Sequence, residues 1–195
     1  MTRYYTIINV PDLFIISQEI DAVMDQLVTG PADLKVTYTF NIIDTTRLLE
    51  LAPSLTAWLD KIGLKNNLLY AGLPCAAPHS SGYIHTDAKC TESINLPVYN
   101  CDAGYSAWYD ARQIGGIVES TSGKSTNQSA EFIPYDKVGA LELARVSNKY
   151  PIWFNNSIPH NGTNTSSQPR IILTLRFDCP IDVDALALEE KYYWA

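Results

Sequence analysis

The chain has 195 residues, of which 46% are hydrophobic and only 18% charged, with a formal net charge of −7. That length and hydrophobic share suffice for one substantial core, so the expectation is a single domain over 1–195. A uniformly acidic balance without a Lys/Arg cluster argues against nucleic-acid partners. Twelve Tyr, four Trp and five Phe, together with many Thr and Ile residues, favour strands over a helical bundle. The four cysteines (Cys75, Cys90, Cys101, Cys179) form no C-x-x-C pair or zinc-ribbon spacing. No signal-peptide core and no stretch of 18 apolar residues stands out, so a cytoplasmic protein with reduced thiols and no membrane partner is expected.

In chain order, residues 4–10 read as a β-like run closed by Pro11-Asp12. A helix is predicted over about 17–28, with Ile20, Val23, Met24 and Leu27 on one stripe. Ser17 would cap it, Glu19 and Asp21 would suit its positive end, and Gly30-Pro31 would stop it. Residues 34–43 read as a strand. Asp44 can cap a second helical stretch with Leu48, Leu51, Leu55, Trp58, Leu59 and Ile62 on one face; Pro53 interrupts it, giving either two short helices or one kinked one, and Gly63 ends it.

From about Asn67 the character changes. Short apolar or alternating runs follow one another at 68–73, 82–85, 93–99, 106–109, 141–146, 151–154 and 170–177, separated by Gly, Pro, Asn and Ser clusters. Such spacing predicts a sandwich or barrel. The polar stretch 120–128 reads as a surface loop. The expected architecture is mainly β: a jelly-roll core over about 79–178, with a mixed α/β entry region at 1–78 whose helices buttress it.

Only three histidines occur. His85-Thr86-Asp87 places an imidazole and a carboxylate two residues apart, hence on one face of an extended strand. His160 stands far down the chain and can complete a cluster if two strands pair across a barrel mouth. Two imidazoles and a carboxylate on one face of an octahedral ion leave three positions open, the arrangement that suits non-haem iron(II) oxygenases. His79, in a loop-like Ala-Ala-Pro context, is expected outside the cluster.

Ten residues after His160, Arg170 opens the run Arg-Ile-Ile-Leu-Thr-Leu-Arg-Phe. Alternation puts Arg170, Ile172 and Thr174 on one face and Ile171, Leu173 and Leu175 on the other. A guanidinium there could bind a dicarboxylate bidentately. Arg176 shares the Arg170 face but sits near the strand end, where a solvated role is expected. Ser93, Asn95 and Pro97 alternate on one face of another strand. Tyr99, Trp108 and Thr174 are candidate pocket walls, although Trp108 and Trp153 are more often core aromatics.

These elements resemble the 2-oxoglutarate/iron(II)-dependent oxygenases, whose signature is H-x-D, a distal His and a basic residue about ten positions later. Ser157, His160, Asn164, Arg170 and the β-branched run after it are also similar to the C-terminal motif of the aspartyl/asparaginyl β-hydroxylase branch. That branch generally lacks the carboxylate ligand, which Asp87 supplies here. The resemblance implies a double-stranded β-helix (cupin-like) and iron(II) held by His85, Asp87 and His160. It further implies 2-oxoglutarate held by Arg170; by their strand positions Asn95, Tyr99 and Thr174 are candidate further contacts. O₂ would be the co-reactant, succinate and CO₂ the co-products, and a small molecule, amino acid or peptide the substrate. The rival expectation is a cupin-like module that keeps the metal or a small molecule without oxidising anything.

Overall fold

The structure, a computed structural model, describes residues 2–27, 39–119 and 131–188. The predicted stop at Gly30-Pro31, the first half of the 34–43 run and the 120–128 stretch lie outside the described residues.

A short β1 (Tyr5–Ile7) leads into α1 (Leu13–Leu27), which buries Ile16, Ile20, Met24 and Leu27. The helix starts before Ser17 because the apolar stripe reaches back to Ile16. Ser17 therefore sits in the second turn rather than at the cap, with its hydroxyl near the carbonyls of Leu13 (2.8 Å) and Pro97 (2.7 Å). Glu19 is not at the end of its own helix. Its carboxylate accepts from Ser54 N (2.9 Å) and Ser54 Oγ (2.8 Å), near the start of another helix.

After β2 (Thr39–Ile43) come α2 (Thr45–Leu51) and α3 (Pro53–Lys61). Asp44 caps α2 by accepting from Arg47 N at 2.9 Å. Pro53 begins α3 instead of kinking one longer helix, because its missing N–H costs nothing in a first turn. Gly63, with φ +74°, turns the chain out of α3.

The strands that follow are β3 (Leu68–Ala76), β4 (Ser80–Ser81), β5 (His85–Asp87), β6 (Glu92–Tyr99), β7 (Gly104–Asp110), β8 (Val118–Glu119), β9 (Glu131–Pro134), β10 (Leu141–Ser147), β11 (Ile152–Asn155), β12 (His160–Asn164) and β13 (Arg170–Phe177); a short α4 (Val183–Leu186) comes after them. One sheet runs β1-β11-β6-β13-β3-β2 and the other β10-β7-β12-β5-β9-β8, with β4 beside β12. Every pairing among them is antiparallel.

From β3 onward the chain passes back and forth between the sheets: β3 in the first, β5 in the second, β6 back in the first, β7 and β10 in the second, then β11, β12 and β13 in alternation. This is the winding of a double-stranded β-helix, or jelly roll. The expected fold, mainly β with supporting N-terminal helices, is the observed one.

The inner and outer faces follow from the period of two. On β13, Ile171, Leu173 and Leu175 join Ile94 and Leu96 of β6 and the buried faces of α1, α2 and α3 in the main core. Arg170, Ile172, Thr174 and Arg176 point the other way, into a cavity between the sheets. A second apolar cluster of Ile7, Trp108, Val146, Ile152 and Phe154 packs beside it. Each large aliphatic side chain buried in this way contributes roughly 1.5–3 kcal/mol.

Four strands carry no clear signal in the sequence. β12, His-Asn-Gly-Thr-Asn, is too polar to announce itself, yet it lies between β5 and β7. The short β4, β8 and β9 flank it or extend its sheet. Among the described residues no helix is long and apolar enough to cross a membrane. All four cysteines are free thiols, and three of them are buried.

Candidate metal centre

His85 opens β5 and His160 opens β12, and the two residues face each other directly in the antiparallel ladder. Their ring centroids are 4.6 Å apart. Asp87 follows on the His85 face, and one ligand atom from each of the three residues lies within 4.8 Å of the others. The pairing of two far-apart strands, the condition for a site, is present.

Both imidazoles are oriented by the same device. His85 Nδ1 lies 2.9 Å from the Tyr83 carbonyl, and His160 Nδ1 lies 2.8 Å from the Ile158 carbonyl. An Nδ1–H donated to a carbonyl fixes the tautomer and leaves the Nε2 lone pair for an ion. Burial, reinforced by the neighbouring His85, pushes His160 down to about 3, so its ring is neutral near neutral pH. Phe154 stands edge-on to His160 at 4.7 Å, and Phe132 to His85 at 5.7 Å.

Burial opposes ionisation of Asp87. The Arg176 guanidinium, with smaller help from the two imidazoles, more than offsets that and holds the carboxyl below the usual carboxylate range. Arg176 Nη2 donates to Asp87 Oδ2 at 2.7 Å. The expected solvated role for Arg176 is thereby corrected. β13 runs between β6 and β3 in the middle of its sheet, so both ends of its inner face are covered. The guanidinium also lies 5.0 Å from the Tyr70 ring and 5.5 Å from that of Phe40.

The triad opens into a cavity of about 240 Å³. Arg170, 1% exposed, lines it, as do Asn95 and Thr174, which pair in the β6–β13 ladder. Ser93 also lines it. Tyr99 does not. It is 41% exposed and pairs with Ile171, whereas Pro97 pairs with Ile172. The intervening bulge at Val98 reverses the alternation, so Tyr99 shares the outer face of Ile171 instead of the Asn95 face. Trp108 is core, with Nε1 donating to the Asn155 carbonyl at 2.9 Å. His79 is exposed with φ +49°, away from the cluster.

Sequence reasoning missed Asn156, Asn161, Ser106, Phe40 and Phe132, all of which line the cavity. Asn156 comes from a turn after β11, where no periodicity marks it. Its backbone carbonyl accepts from Asp87 N at 3.2 Å, and its side-chain Oδ1 is 3.4 Å from Ser93 Oγ. Its Nδ2 is buried and has no hydrogen-bond partner among the described residues.

The fold and site together define a double-stranded β-helix protein with a His/Asp/His cluster facing an internal cavity. No protein-family model matches the chain, and no curated protein does. Solved structures similar to it include oxalate decarboxylase from Bacillus subtilis at pH 4.6, with 11% identity, TM-score 0.37 and coverage of 80% of this chain and 28% of that one. The formate complex of oxalate decarboxylase from Lactobacillus farciminis has 12% identity, TM-score 0.37 and coverage of 81% and 33%. For ycfD of E. coli the figures are 10%, 0.42, and 77% and 37%. The chain spans about a third of the length of each of these proteins.

Proposed function

We propose that the chain is an iron(II)- and 2-oxoglutarate-dependent dioxygenase that hydroxylates a C–H bond of a small molecule, amino acid or peptide side chain. The observation that carries this reading is the burial of Arg170 in the same cavity as the His85/Asp87/His160 cluster.

The donor set fits iron(II). Two imidazoles and one carboxylate would hold the ion and leave positions open to ligands, and each histidine has its Nδ1 beside a backbone carbonyl. When bound, the metal supplies O₂ activation coupled to oxidative decarboxylation of 2-oxoglutarate, giving succinate, CO₂ and a hydroxylated product.

The chain's own residues do the rest. Arg176 donates to Asp87 Oδ2, which restrains rotation of the carboxylate and would leave Oδ1 free to hold the ion. The Arg170 guanidinium on the cavity wall favours an anion there, while Arg176 is balanced by Asp87, and a divalent ion would add to that field. A dianionic keto acid answers it, with its far carboxylate on Arg170 and with Thr174 and Asn95 as polar neighbours. Ile172, Phe132 and Phe154 exclude water around the reacting centre. Tyr83, 85% exposed but part of the lining, marks the rim by which a substrate enters.

Anaerobic titration with iron(II) and then 2-oxoglutarate tests the reading. A weak visible charge-transfer band is expected in the wild-type chain and absent in His85→Ala and Asp87→Ala, with succinate formed on admitting air. Metal binding with neither band nor succinate would instead identify a cupin-like binding module.

A further inference from the structure

Gly162 lines the cavity and Gly104, on the neighbouring strand, lies against the stem of Arg170, and neither has the positive φ that would require glycine; among the described glycines only Gly63 and Gly139 do. The side chain of Arg170 supplies the requirement. A Cβ on Gly104 would stand 2.7 Å from Arg170 Cδ, as well as 3.1 Å from the Thr163 carbonyl and 3.2 Å from Asn148 Nδ2. A Cβ on Gly162 would stand 2.9 Å from Arg170 Nη2, 3.6 Å from Nη1 and 3.7 Å from Cζ.

The β7–β12 register shows where this puts the guanidinium. The ladder pairs Gly104 with Asn164, Gly162 with Ser106, and His160 with Trp108. The Arg170 side chain therefore passes the Gly104 level and ends at the Gly162 level, two residues short of His160 on the same face of β12. Two residues of strand span about 6.6 Å. A five-carbon chain extends about 5 Å between its terminal carbons.

We infer that Gly104 and Gly162 are positioning residues that set the depth of the Arg170 guanidinium, and through it the carbon-chain length of the keto diacid the site accepts. The inference rests on the dioxygenase reading for the identity of the ligand. The device itself is a channel of two missing side chains that admits one arginine in one extended pose. A methyl group at Gly162 would collide with the planar end of the guanidinium, and one at Gly104 with its stem. Lysine, which ends in a compact ammonium, would pass a methyl at Gly162 more easily than arginine does.

The test uses the full chain loaded with Mn(II) and calorimetric titration with 2-oxoglutarate, oxaloacetate and 2-oxoadipate. Wild type is expected to bind the five-carbon acid best. Gly162→Ala should weaken it at least tenfold while leaving the Mn(II) dissociation constant within about twofold. Arg170→Lys should weaken binding in the wild-type background but cause no further loss, or a partial recovery, in Gly162→Ala. Gly104→Ala provides a second reading from the opposite strand should Gly162→Ala fold poorly. Normal binding of 2-oxoglutarate by folded glycine variants overturns this inference and leaves the dioxygenase reading standing. Preference for another of the diacids, with the same glycine dependence, supports the channel and overturns 2-oxoglutarate as co-substrate. No Arg170-dependent binding of any of the three overturns both.

Discussion

Arg176 Nη2 lies 2.7 Å from Asp87 Oδ2, with the two side chains 6% and 8% exposed. A carboxylate in the candidate metal site is thus tied to a guanidinium contributed by the opposite sheet. Removing one partner of such a buried pair strands the other charge. Arg176→Ala is expected to cost about 3–5 kcal/mol of stability, and Arg176→Lys less, since the charge is kept and only the planar fork is lost. Urea unfolding of the metal-free protein measures this; a loss under about 1 kcal/mol would contradict the buried pairing.

His160 makes stability depend on pH. Its native value is depressed to about 3 from 6.5, so between those values the unfolded chain takes up a proton that the native chain refuses. Stability from this residue is full above about pH 6.5 and declines as pH falls toward 3. Asp87, also depressed in the native state, adds a loss on further acidification below its ordinary value of 3.8. The urea midpoint of the metal-free protein should therefore fall between pH 7 and 4. In His160→Gln the fall should be shallower, and an equal slope would show that other groups govern it.

Asn164 holds the turn that presents Arg170. Its buried Nδ2 reaches the carbonyls of Ala76 (3.1 Å), Ala77 (3.0 Å) and Gln168 (2.7 Å), and its Oδ1 accepts from Ser166 N (3.1 Å) and Ser166 Oγ (3.0 Å). Asn164→Ala leaves several of these groups unsatisfied and should cost about 3 kcal/mol. Because the turn joins β12 to β13, the same variant should weaken 2-oxoglutarate binding more than Mn(II) binding. Equal losses of both would place the damage elsewhere.

Gly72 makes room for the Phe40 ring, which a Cβ would meet at 2.5 Å. Gly72→Ala is expected to displace that ring from the cavity wall beside Arg176 and to cost about 1–3 kcal/mol. Phe40→Leu in the same background should recover part of the loss. A thermal melt of the single and double variants decides it, and additive losses would refute the contact.

What can be read from the chain alone is what depends on local pattern. The eight residues of β13 alternate strongly enough to set both faces, and His85-Thr86-Asp87 needs only an extended backbone to bring its two donors together. Asp44, Pro53 and Gly63 act within a few residues of themselves. Arg176 and Tyr99 depart from their local pattern for non-local reasons. The burial of Arg176 depends on β13 lying in mid-sheet, and the phase of Tyr99 depends on one extra residue at Val98. β12 escapes detection because its polar side chains find many of their partners across the fold: Asn161 in Ser81, Gly82 and Tyr109, and Asn164 in the Ala76 and Ala77 carbonyls.

Among the described strands β13 comes last, and it lies between β6 and β3, which have no pairing with each other. During synthesis those two strands must wait with open edges for a segment made about seventy residues after β6 and more than ninety after β3. The two arginines of the site arrive on that same segment. A chain stalled before it would therefore be sticky, and Asp87 would still lack its guanidinium, so ligand uptake can report that sheet closure is complete.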